Sequence, residues 1–88
     1  MESYAIASFR SRQAVFRFES VLRQRGVSAR IISTPRAVSL GCGLSLRFER
    51  ADLPKAMAAY RQEPIPNLIG FYTVEGANGN LRVNPVAL

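Results

Sequence analysis

The chain has 88 residues, 48% of them hydrophobic, and a formal net charge of +6. That length is one domain near the small end of what folds alone, so its core must be closely patterned. Histidine is absent and Cys42 is the only cysteine, which excludes an internal disulfide and the usual zinc ligand set within one chain.

The first apolar run, Tyr4 to Phe9, is rich in Tyr, Ile and Phe and reads as a buried strand. Ser11 follows as an N-cap for a helix over Arg12 to Arg25, whose Ala14, Val15, Phe18, Val21 and Leu22 form one apolar stripe. Phe16 falls on the opposite side of that stripe. Gly26 ends the helix as a C′ residue behind Arg23 and Arg25. Val27 to Ser33 alternates as a second strand. A loop through Pro35 then leads to Gly41-Cys42-Gly43. Leu44, Leu46 and Phe48 point one way and Ser45, Arg47 and Glu49 the other, which predicts a third strand with one polar face. Asp52 caps a second helix, with Pro54 in its first turn and Leu53, Ala56, Met57 and Tyr60 on its buried side. Pro64 and Pro66 end that helix, and Leu68 to Glu75 reads as a fourth strand. Asn78-Gly79 is a type I′ hairpin signal, after which Leu81, Val83 and Val86 make either an edge strand or a tail.

The order β-α-β-β-α-β predicts an α+β fold, the ferredoxin-like split βαβ sandwich. Its antiparallel sheet would have the order 4-1-3-2, with both helices on one face. A single domain is expected over 1–88, with a core over 4–75 and residues 76–88 as a hairpin extension or tail. No apolar run approaches the roughly 18 residues that span a bilayer. The N-terminus lacks a basic region followed by a long apolar stretch. With one cysteine, the chain fits a cytoplasmic setting.

Lacking histidine, the chain has no copy of the commonest general base, and its six acidic residues form no obvious pair. Stand-alone catalysis is not expected, and neither is a cofactor. Lys55 is the only lysine among the twelve cations; arginine makes bidentate contacts with carboxylate and phosphate, so an anionic partner is one implication of the charge. Attention then centres on Thr34 to Leu44. A thiol between Gly41 and Gly43 has no neighbouring side chains to shield it. The expected topology sets Cys42 beside Phe9, Arg10, Ser11 and Arg12, at a helix N-terminus, with Arg36 within reach. Those surroundings favour thiolate over thiol. Cysteine is equally familiar as a small buried hydrophobe, and Arg10, Arg12 and Arg36 as solvated charges. Both roles are open at this point. A different class of function is a non-catalytic module binding RNA through the arginines, with Tyr4, Phe71 or Tyr72 on an open sheet face. A third is edge-to-edge assembly through residues 76–88.

Tyr4-Ala-Ile-Ala-Ser-Phe9, Ser11, Glu19-x-x-Leu22, Gly26, Thr34-Pro35-Arg36 and Cys42-Gly43-Leu44 together resemble the selenium/sulfur carrier protein-like family of small bacterial domains. The resemblance covers residues 4 to 63. It implies that Cys42 holds sulfur or selenium as a persulfide-type adduct, with Pro35, Arg36, Gly43 and Leu44 forming its loop. It also implies donor and acceptor proteins as partners, acidic where they dock. The chain departs from the sulfur carriers that use Cys-Pro-x-Pro at a helix start, because Gly-Leu follows Cys42.

Overall fold

In the computed structural model, residues 2–38, 43–77 and 79–88 are described. The chain forms β1 (Glu2–Phe9), α1 (Arg12–Gln24), β2 (Ala29–Ser33) and β3 (Leu44–Phe48). A 3-10 turn (Arg50–Asp52) then leads into α2 (Leu53–Gln62), β4 (Leu68–Ala77) and β5 (Asn80–Val86). The strands make one open five-stranded antiparallel sheet in the order β2-β3-β1-β4-β5. This differs from the expected four-strand order 4-1-3-2, because β5 adds a fifth strand outside β4; the other four are neighbours as β4-β1-β3-β2. The terminal residues therefore form an edge strand, while the turn type assigned to Asn78-Gly79 falls on Asn78, outside the described residues.

Strand β1 lies at the centre of the sheet and is buried on both faces from Tyr4 through Phe9, under the helices on one side and under side chains of neighbouring strands and Val38 on the other. Its odd-numbered residues face the helices. Ala5, Ala7 and Phe9 lie directly opposite Phe48, Leu46 and Leu44 of β3, and they join Val15, Phe18 and Leu22 of α1 and Ala56 and Met57 of α2 in one core. Both helices thus cover the same side. The two alanines leave room there for Phe18, whose ring meets Phe9 at 5.5 Å, Tyr60 at 6.0 Å and Phe71 at 6.1 Å between centroids. The even-numbered residues Tyr4 and Ile6 face the other way and form a second apolar patch with Val74. No helix residue belongs to that patch; Ile32, Val38, Tyr72 and Val83 pack around it.

Local signals act as their chemistry dictates at the ends of α1. Ser11 Oγ accepts the Ala14 amide at 3.3 Å, and Gly26 takes φ 79° with its amide on the Arg23 carbonyl. Phe16 is 54% exposed, on the outside of the helix. The entry to α2 differs from expectation. Asp52 makes no capping bond through its side chain, because the preceding 3-10 turn holds its backbone at φ −89° and ψ −1°, outside the extended conformation a capping side chain needs. On α2, Ala59 joins Leu53, Ala56 and Met57 as buried, and Tyr60 packs half-buried against the same core with its hydroxyl on the Ile65 carbonyl. Strand β2 starts only at Ala29, while Val27 is buried in the core at the end of the turn.

Phe18→Ala removes the ring on which three aromatic neighbours converge, so it should lower unfolding free energy by about 3–5 kcal/mol. Urea denaturation monitored by circular dichroism measures the loss.

Candidate functional site

Strands β2 and β3 form a ladder that ends at Ser33 opposite Leu44. The connection beyond it carries the Thr34 to Leu44 stretch. Its base is tied by the Thr34 amide, which donates to the Gly43 carbonyl at 3.3 Å. Pro35 is the first residue of a turn through Arg36 and Ala37, closed by the Val38 amide donating to the Pro35 carbonyl at 2.9 Å. Arg36 sits exposed on that turn, and Val38 packs back onto Tyr4, Ile6 and Val74 on the side away from the helices. The first half of the connection is therefore anchored over the sheet.

Gly43 is required by its surroundings. Its φ is 116°, and a Cβ there would stand 3.0 Å from the Phe9 carbonyl oxygen and 3.2 Å from Thr34 Oγ1. The main chain thus abuts the end of β1 without a side chain between. Leu44, opposite Phe9, packs against the helix-side core. Cys42 and Gly41, and the expectation that sets the thiol beside the start of α1, lie outside the described residues.

Beneath Gly43 lies a feature that sequence reasoning missed. Ser8 and Ser45 are directly opposite on β1 and β3 and fully buried, with their hydroxyls 2.7 Å apart. Thr34 Oγ1 extends the chain, 2.8 Å from Ser45 Oγ. A buried hydroxyl without a partner is costly, and these three solve that by bonding one another. Ser45 thus belongs to the polar face expected of β3, but that side of the sheet is itself covered here. Against β4 the register slips between Ser8 and Phe9, where Ser8 pairs with Gly70 and Phe9 with Leu68. The bulge bends the sheet at the floor of the site.

Arg10 and Ser11 are held by backbone and cap. The Arg10 amide donates to the Asn67 carbonyl at 2.9 Å, tying the β1–α1 junction to the start of β4. A shallow cavity of about 150 Å³ lies there between Ser11, Arg17, Ile65 and Asn67. The Arg10, Arg12 and Arg36 side chains are exposed and make no ion pair with a described residue. Three sequence segments thus meet at one end of β1: Arg10-Ser11, Thr34 with Gly43, and Asn67-Leu68.

Of the three aromatics expected on an open sheet face, Tyr72 is half-buried against the patch away from the helices. Phe71 is 2% exposed in the helix-side core. Tyr4 is buried, with the Arg47 guanidinium 3.8 Å above its ring centroid and bridging to Glu2 at 3.4 Å. Among the described residues no group of three or more His, Cys, Asp or Glu could hold a metal, and no helix is long and apolar enough to cross a membrane.

Fold and sequence together define a small α+β domain with one cysteine, in the connection between β2 and β3. Residues 4–69 match the family model described as Putative Se/S carrier protein-like, and the chain belongs to that family. The match runs past α2 into the first residues of β4 and includes the whole Thr34 to Leu44 stretch. No curated protein and no solved structure matches the chain.

Gly43→Ala forces a side chain into a left-handed backbone position against the Phe9 carbonyl. It should destabilise the protein by about 1–3 kcal/mol, read as a lowered thermal midpoint, whereas alanine at exposed Arg36 should leave the midpoint close to that of the unmodified protein.

Proposed function

We propose that the protein carries sulfur or selenium as a persulfide-type adduct on Cys42. The observation that supports this most is membership of the Se/S carrier protein-like family over a span that contains the protein's only thiol. The geometry of the flanking residues is compatible with it, since Thr34 and Gly43 give the connection a fixed base on the central strand. In loading, the Cys42 thiolate attacks the outer sulfur of a donor persulfide; the donor S–S bond breaks, a new S–S bond forms on Cys42, and the donor leaves as thiolate. Delivery is the reverse displacement, with an acceptor nucleophile taking the outer sulfur and Cys42 leaving as thiolate. Neither step needs an oxidant or reductant. A donor carrying selenium in the outer position reacts in the same way.

In this reading Pro35, Arg36, Gly41, Gly43 and Leu44 shape the loop. Arg10 and Arg12, with Arg36, supply positive potential to the loaded anion and to acidic surfaces of donor and acceptor proteins. Ser11 directs the start of α1 toward the same end of the sheet. The protein acts as a cytoplasmic carrier rather than a stand-alone enzyme and uses no cofactor. Its fold is the ferredoxin-like sandwich extended by β5, and residues 1–88 act as one unit.

Incubation with a cysteine desulfurase and cysteine, followed by intact-mass analysis, tests the reading. The wild-type protein should gain the mass of one sulfur atom, lose it to a thiol reductant, and gain none as Cys42→Ser. A Cys42 that is freely alkylated yet never acquires sulfur contradicts the proposal.

A further inference from the structure

An antiparallel ladder alternates between residue pairs that exchange backbone hydrogen bonds and pairs that exchange none. The Thr34 amide donates to the Gly43 carbonyl at 3.3 Å, so these two form a bonded pair at the end of the β2–β3 ladder. Stepping back by two residues along an unshifted register, Ile32 with Ser45 and Arg30 with Arg47 are bonded pairs as well. The backbone groups of Ala29, Ile31 and Ser33 therefore point away from β3. Strand β2 ends the sheet, and no described strand pairs with its outer side. A row of amides and carbonyls is thus presented along that edge.

The two edges of the sheet are not alike. Strand β5 contains Pro85, and a proline in an edge strand keeps its missing N–H on the outer side, where it hinders an incoming strand. Strand β2 has no such guard. Its middle residue, Ile31, lies opposite Leu46 on the helix side and leaves an apolar side chain 41% exposed. On the other side is Arg30, exposed and without an ion pair to a described residue. Residues 20–48 contain five arginines and no carboxylate. A second copy of this chain would bring that basic edge against itself, whereas an acidic segment is attracted to it.

We propose that the outer edge of β2 docks an extended acidic segment of a partner protein as an added strand. The segment bonds to the backbones of Ala29, Ile31 and Ser33, with an apolar residue beside Ile31 and a carboxylate beside Arg30. Strand β2 runs directly into the Thr34 to Leu44 stretch, so in the carrier reading the segment belongs to a donor or acceptor protein. Docking itself takes nothing from Cys42.

The test is amide exchange of the full chain followed by NMR, with a synthetic peptide of alternating valine and glutamate as the probe. At about ten times its Kd, free peptide should slow exchange of the Ala29, Ile31 and Ser33 amides about tenfold. The Arg30 and Ile32 amides, already bonded to β3, should change little. A peptide alternating valine and lysine should protect none of them, and Arg30→Glu should reverse the preference between the two peptides. Ile31→Pro removes an outward amide and leaves the ladder to β3 intact, so it should keep the native circular dichroism and lose protection at Ala29 and Ser33. If that variant does not fold, N-methylation of the glutamate peptide blocks its donors and gives the same comparison on wild-type protein. Exchange unchanged by the glutamate peptide overturns the proposal, as does equal protection by the lysine peptide. Protection that rises with protein concentration alone would also overturn it, since the occupant would then be a second copy. Sulfur loading does not enter this readout, so failure of docking and failure of the carrier reading are told apart.

Discussion

Strand β1 is the member on which the rest depends. It is hydrogen-bonded to β3 on one side and β4 on the other, so its buried amides and carbonyls are satisfied only in this pairing. One register sets both faces at once. With Phe9 opposite Leu44, Phe9 joins the aromatic cluster under the helices, and Ser8 opposite Ser45 completes the hydroxyl chain on the other side. A slip of one residue would send the hydroxyls into the helix-side core and the apolar ring out of it. The helix-side core and the base of the β2–β3 connection are therefore two results of a single alignment.

The sheet's two sides are stabilised differently. On the helix side, apolar area from both helices supplies the driving force. On the other side, a small patch at Tyr4, Ile6 and Val74 is overlaid by Val38, and three hydroxyls fill the adjoining positions. Ion pairs contribute little to either. Arg23 with Glu19, Arg47 with Glu2 and Arg50 with Glu75 are all at least 3.4 Å apart and solvent-accessible, the kind of pair worth at most about 1 kcal/mol. The excess of arginine thus bears on solubility and partners more than on folding.

Much of this architecture is legible in the residues. The stripe from Ala14 to Leu22, Ser11 before it and Gly26 after it fix α1 because each acts through local backbone chemistry. The alternation Leu44, Leu46, Phe48 likewise fixes the inner face of β3. Legibility fails where burial depends on what lies above. Ser45 alternates as an outward polar residue, yet it is sealed, because its outward side meets Ser8 and Thr34 rather than water. Adjacent Phe71 and Tyr72 read equally well as surface aromatics; only pairing with Ala7 and Ile6 sends the phenylalanine inward and the tyrosine to the opposite side. Asp52 fails as a cap because a 3-10 turn precedes α2, which nothing in local propensity announces. Of the glycine pair around Cys42, Gly43 is explained by its close approach to β1, which only the tertiary pairing reveals.

The carrier reading requires folding to make Cys42 a better nucleophile than it is in the unfolded chain. The most direct measurement is the second-order rate of Cys42 with a small disulfide reagent at neutral pH, in native protein and in protein unfolded by urea. A native rate well above the unfolded one is predicted, because a carrier must present its cysteine as an accessible thiolate when folded. A native rate below the unfolded one would mean a shielded, un-ionised thiol and would contradict the account.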